Sequence, residues 1–269
     1  MMKTRILTKG GKIGICNICG EEGKLTEDHT PPKGSIRIKQ VELLSILNHL
    51  QADMPKKNGR ILQNGVKYRT LCHKCNNDYL GAKYDPAFNG FVNTVGDYLK
   101  SHIHLPKSIR TEIEPQKIMK SLIGHLAAQG VNRYKKGPDT EPIRDYIVNP
   151  SYALPENIRI YYWLFPYKNH VMARDCGFLD LRVGKPCVIW FLKFFPISFL
   201  VTFDQPTELQ LNVSELSKWR ESSIDEKVIE YVQLTNLPHQ FWPEAPTDYT
   251  IITYGRDAIV SYQYKSKKR

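Results

Sequence analysis

The sequence predicts an α+β protein with a metal-stapled N-terminal part followed by a mixed helix-and-strand C-terminal part. Three observations lead there. Two Cys-x-x-Cys pairs, Cys16/Cys19 and Cys72/Cys75, bracket much of the N-terminal part. Runs rich in β-branched and aromatic side chains at 158–165 and 187–203 read as strands. Stretches of helical apolar spacing accompany them, as in 115–130, which opens on Pro115 and closes on Gly130.

With 269 residues the chain is long enough to bury a real core, as one large domain or two modest ones. Hydrophobic residues at 41% and charged residues at 24% suit a soluble globular protein. The opening "MMKTRILTKGGKIG" carries charge but no apolar run of signal-peptide length. The most apolar segment, "CVIWFLKFFPISFLVTF" at 187–203, is short for a span and contains Lys193 and Pro196. The expectation is a cytoplasmic protein with no membrane partner, in a compartment where thiols stay reduced.

From the N-terminus onward, a β-prone run ends at Asp28-His29, and Pro31 and Pro32 stop it. The stretch "IKQVELLSILNHLQAD" has apolar residues at 41, 43, 44, 46, 47 and 50, which predicts a helix. Asn64-Gly65 between two β-prone runs predicts a hairpin. A helix is expected to begin at Asn76, and Asp85-Pro86 reads as the N-cap and first residue of another. That pattern fades at 102–108, which divides the chain into residues 1–105 and an accessory α+β domain, 106–269. In the second part, Ser223-Ile-Asp-Glu226 predicts a capping box opening a helix over "EKVIEYVQLT". Cys176 and Cys187 lack the paired spacing of a metal knuckle and read as two buried or free thiols.

The net charge is +11, and it is unevenly spread. Residues 1–110 hold 18 Lys/Arg against 9 Asp/Glu, whereas 111–269 hold 20 against 18. Attraction to nucleic acid therefore belongs mainly to the N-terminal part. Lys33, Arg37, Lys56, Lys57, Arg60, Lys67 and Arg69 are the candidates to neutralise backbone phosphates there.

Two cysteine knuckles in a reduced compartment indicate tetrahedral zinc, since four thiolates at about 2.3 Å close the coordination sphere. Such a site leaves no open position, so this Zn²⁺ is structural. Gly20 serves the tight turn after the first knuckle. Clamping the two knuckles brings Asp28 and His29 opposite the first turn after Cys75, where Asn76 stands. A carboxylate and an amide oxygen are hard ligands suited to one Mg²⁺. The imidazole beside them can accept a proton from water at neutral pH.

The segments "CNIC", "LTEDHTPPKG" and "CHKCNNDYLGAKYD", spread over 16–85, resemble the HNH, or ββα-metal, endonucleases in their zinc-bearing four-cysteine branch. The resemblance implies a ββα-metal finger within 1–105, carrying an inserted helix and hairpin. It implies that Asp28 and Asn76 hold a catalytic Mg²⁺ or Mn²⁺ and that His29 is the general base. The implied reaction is hydrolysis of DNA, duplex or branched, to 5′-phosphate and 3′-hydroxyl ends, in a restriction or host-defence setting. The chain departs from the family pattern in two places. Lys67 stands where many relatives have asparagine, so that turn-stabilising role passes to Asn64 or is missing, and the insert from Pro32 to Lys67 is long. Asn77 is the alternative ligand to Asn76. The residues themselves do not separate DNA from RNA. A homodimer would suit cutting both strands of a duplex. The competing expectation is a zinc-stabilised nucleic-acid-binding protein that cuts nothing, and the role of 106–269 stays open between substrate binding, sensing and oligomerisation.

Overall fold

The computed structural model describes residues 6–37, 39–51, 59–101, 104–235, 237–245, 248–255 and 257–264. Every strand ladder among them is antiparallel. The N-terminal part contributes β1 (Ile13–Ile15), β2 (Glu22–His29), β3 (Val41–Ser45), a short α1 (Ile46–Leu50), β4 (Arg60–Leu62) and β5 (Lys67–Cys72). A π-helix, Lys74–Tyr84, runs straight into α2 (Asp85–Lys100). Then come β6 (Ser108–Ile113), α3 (Pro115–Ala127) and α4 (Glu141–Val148). The next four strands are β7 (Ile158–Leu164), β8 (His170–Asp180), β9 (Pro186–Phe194) and β10 (Ile197–Phe203). The chain ends with β11 (Ser214–Glu215), β12 (Val228–Gln233), β13 (Thr250–Thr253) and β14 (Ile259–Gln263).

These strands build a three-stranded sheet, β1-β2-β5, and a two-stranded one, β12-β6. The third is a large sheet in the order β11-β7-β10-β9-β8-β14-β3-β4, with β13 also pairing β8. The mixed α+β class is as the sequence predicts. The run 187–203 folds as the hairpin β9–β10 with Pro196 at its turn. The division at 105/106 does not separate two cores. Strands β3 and β4 pair into the large sheet through β14, and one hydrophobic cluster runs from Cys16 to Ile259.

Three expected elements take another form. The stretch from 41 is a strand up to Ser45, and only Ile46–Leu50 is helical. Val41 and Leu43 fit alternation as well as helical spacing, and pairing of Val41–Ser45 with β14 decides for the strand. Asn64 and Gly65 do turn the chain with φ of 60° and 76°, but β4 and β5 belong to different sheets, so no hairpin forms. The residues after Ser223-Ile-Asp-Glu226 form β12 instead of a helix. A hydrogen bond of the expected box exists, Glu226 Oε2 accepting from the Ser223 amide at 3.0 Å, yet pairing with β6 draws the chain into a ladder.

Helix α3 is the axis of the core. Pro115 is its first residue and Lys117 is its one residue that is not buried, as befits a helix enclosed on all sides. Gly124 is needed for this close approach, because a Cβ there would lie 2.3 Å from Leu80 of the π-helix. The last carbonyls of an α-helix need outside donors, and here the N-terminal part supplies several, beside Arg174 Nη1 of β8, which donates to Ala127 O at 2.7 Å. Asn17 Nδ2 donates to Ala127 O at 3.2 Å and Gly130 O at 2.8 Å. Thr70 Oγ1 donates to Ala128 O at 2.6 Å. Thr70 is free to do so because it is the extra residue at a bulge between the Thr26–Leu71 and Glu27–Arg69 pairs. Asn17 also accepts from the Arg133 amide, so Asn17→Ala strips partners from several buried groups. We expect it to cost about 1–3 kcal/mol, read as a lower urea-unfolding midpoint.

Candidate metal and nucleic-acid site

Cys16, Cys19, Cys72 and Cys75 converge, with all four sulfurs within 4.8 Å of one another. None is in a disulfide. Cys19 Sγ and Cys72 Sγ are 3.8 Å apart, which matches the edge of roughly 3.8 Å that a sulfur tetrahedron around zinc requires at metal–sulfur bonds of about 2.3 Å. The Cys72 amide donates to Cys16 Sγ at 3.3 Å, the usual support for a thiolate. Sulfur neighbours pull the Cys16 thiol down to about 7 and Cys72 down as well, while they push Cys19 and Cys75 up. Four thiolates so close together need a cation to be ionised at once. The cluster therefore fits a bound metal ion such as zinc. Gly20 follows the first knuckle at φ +76°, with Tyr134 packed where a Cβ would sit.

The cluster ties the start of the π-helix and the end of β5 to the turn between β1 and β2. Asn76, 9% exposed, donates from Nδ2 to Thr26 Oγ1 at 2.8 Å and to Glu27 O at 3.2 Å. Thr26 in turn donates to Leu71 O at 3.0 Å. The Asn76 side chain thus sits at the peptide leading into Asp28, and its nitrogen is fully occupied, which leaves Oδ1 for another partner. Asn77 is exposed.

Asp28 and His29 are sequence neighbours at the end of β2, and strand alternation turns them to opposite faces. Asp28 is buried, 4% exposed. Its Oδ2 lies 2.8 Å from His125 Nδ1 of α3 and accepts from Thr30 Oγ1 at 3.4 Å. His125 Nε2 is 2.9 Å from Asp85 Oδ1, which also accepts from Ser121 Oγ at 2.8 Å. Burial works against charge on His125, but the two carboxylates outweigh it and raise its pKa to about 10. Burial opposes the charge on Asp85 too, and His125 more than compensates, holding that carboxyl below its usual range. Asp85 is therefore no N-cap; it is an interior helical residue whose carboxylate serves this buried network. No spacing in the sequence links positions 28, 85 and 125. The one local sign is Ser121 and His125 at i, i+4 in a helix buried almost throughout, two polar side chains that demand buried partners.

His29 pairs across the ladder with Lys67. Burial, then Lys67, lowers the pKa of its imidazole, while hydrogen bonding to the Asn64 backbone works the other way. The ring is consequently neutral near pH 7. On the same face Glu27 gathers Lys9 at 2.6 Å, Lys67 at 2.9 Å and Arg69 at 3.4 Å. Hydrogen bonds from Lys9 and Lys67 hold its carboxyl down at about 2. Lys33 and Arg37 are exposed on the segment after the prolines, and Arg60 is exposed at the start of β4. Lys56 and Lys57 lie outside the described residues. Cys176 and Cys187 are buried free thiols in the large sheet. No helix among the described residues is long and apolar enough to cross a membrane.

Comparison with protein-family models, with curated proteins and with solved structures yields no match. The site must be read from its own chemistry.

Proposed function

We propose that the chain is a metal-dependent endonuclease of the HNH kind, with β2, β5 and the π-helix forming a ββα-metal finger around the four-cysteine cluster as a structural zinc centre. The observation that carries this reading is Asn76. Its amide nitrogen is committed to Thr26 and Glu27, so its oxygen is left beside the strand end that bears Asp28 and His29. Asp28 and Asn76 would hold Mg²⁺ or Mn²⁺, which when bound would stabilise charge on the departing 3′-oxygen. His29, neutral near pH 7, would take the proton from the attacking water. The Asn64 backbone, hydrogen-bonded to the ring, would orient that imidazole. Exposed Lys33, Arg37 and Arg60 would meet backbone phosphates, and the near-neutral C-terminal half would add little to that attraction. DNA, duplex or branched, is the proposed substrate class.

A second reading has one specific observation in its favour. Asp28 is buried against a histidinium, a neutralised state that suits a zinc-stabilised nucleic-acid binder with no catalytic metal. Supercoiled plasmid incubated with Mg²⁺ or Mn²⁺ separates the two. The parent protein should nick it, and His29→Ala should nick about a hundredfold more slowly or worse. Equal nicking by both removes His29 as the base, and no nicking by the parent under either metal favours the binder.

A further inference from the structure

Beside Lys67, the ladder partner of His29, lies a cleft of about 270 Å³, walled by β4 and the turn Gln63, Asn64 and Gly65 on one side and the segment 8–9 on the other. That segment runs along β5, with the Arg69 amide donating to Thr8 O at 2.9 Å and the Gly10 amide donating to Arg69 O at 3.1 Å. Lys9, Arg60 and Lys67 line the cleft with Thr8 and Asn64. Its charge is unbalanced. The single carboxylate of Glu27 faces three cations, and Arg60 adds a fourth that donates to the neutral Ile6 carbonyl. Thr8 is 1% exposed, and its hydroxyl is a buried polar group with no hydrogen-bond partner. Buried hydroxyls are nearly always partnered, so a donor and acceptor stands idle in the wall of a positively charged cleft. The space far exceeds the roughly 30 Å³ share of one water.

We infer that this cleft is a phosphate subsite, in which Lys9, Arg60, Lys67 and the Thr8 hydroxyl hold a backbone phosphate of the nucleic acid adjoining the one at His29. The assignment takes its ligand class from the nuclease reading and deepens it. It explains why Glu27 is surrounded by more cations than it can balance: the anion that completes the cluster arrives with the substrate. It also sorts the basic residues, since Arg60 and Lys67 belong to this cleft and Lys33 lies on the far side of Asp28-His29 in the chain.

The test measures binding of a labelled duplex of about 20 base pairs to protein in the His29→Ala background, across a salt series and without divalent metal. Thr8→Val should weaken binding about tenfold. Arg60→Gln and Lys9→Gln should each lower the salt slope by about one. Inorganic phosphate should compete against the parent more effectively than against Arg60→Gln. Unchanged affinity and unchanged slope in all three variants, each with parental circular dichroism, overturns the subsite. If the parent fails to nick plasmid while the variants still lose slope, the subsite stands and the catalytic reading falls.

Discussion

Replacing Cys75 with serine is expected to release the metal and unfold the N-terminal sheet, the largest single effect available in this molecule. The argument is one of magnitude. Structural zinc contributes about 10–16 kcal/mol of apparent binding energy in small zinc-dependent folds, whereas whole domains are stable by about 5–15 kcal/mol. Strand β1 has three residues and β2 eight, so their ladders cannot make up such a loss. The segment is then held by its docking onto α3 through Asn17, Thr70 and Asp28 and by the apolar side chains it shares with that helix. The large sheet has its own cluster, built on residues such as Trp163, Phe191 and Val260, and should survive. Metal analysis should find about one zinc per chain in the parent and none in Cys75→Ser. A strong chelator should split the parent's thermal transition into an early and a late step. Cys187→Ser, which alters another buried thiol outside the cluster, should keep both the metal and the single transition. Quantitative metal loss with an unshifted melting curve would contradict a structural centre.

How much of this was legible in the sequence depends on how local each signal is. The cysteine pairs announce themselves by spacing, and the chemistry of four sulfurs needs no further context. Pro115 and Gly130 bound a helix through backbone chemistry within a few residues, and β7, β9 and β10 are dense in residues that favour the pleat. The misread elements are those decided by distant partners. Val41–Ser45 is a strand because β14, over two hundred positions later, lies beside it. Ser223 and Glu226 make a hydrogen bond of a cap, but β6 claims the residues after them for a ladder. Asp85-Pro86 looks like a helix start because the sequence cannot report that a π-helix already leads into it; the Asp85 amide donates back to Leu80. In the candidate site, Asp28, His29 and Asn76 stand out in the sequence as a motif by resemblance alone. Their surroundings do not, because Lys9 reaches Glu27 and His125 reaches Asp28 from segments that no spacing rule connects.

His125→Ala is expected to destabilise the chain by about 3–5 kcal/mol, because it leaves two carboxylates buried without the cation that bridges them. The side chain of His125 is 2% exposed, Asp28 is 4% and Asp85 is 16%, so water can relieve little of the repulsion. Asp28→Asn should remove part of that penalty. In a double-mutant cycle the pair should therefore cost less than the sum of the two single changes, by about 0.5–3 kcal/mol. Urea unfolding of the four proteins measures this directly, and strict additivity would mean that the contact carries no coupling. A second readout separates positioning from mere stability. If His125 fixes the carboxylate that holds the divalent ion, its loss should weaken Mn²⁺ binding about 10–100-fold, followed by electron paramagnetic resonance well below the unfolding midpoint. His125→Gln retains a donor toward Asp28 and should recover part of that affinity without restoring the charge. Asn76 would be undisturbed in all these variants, since its partners are Thr26 and Glu27. A helix from the C-terminal half would then complete the centre that the N-terminal motif begins.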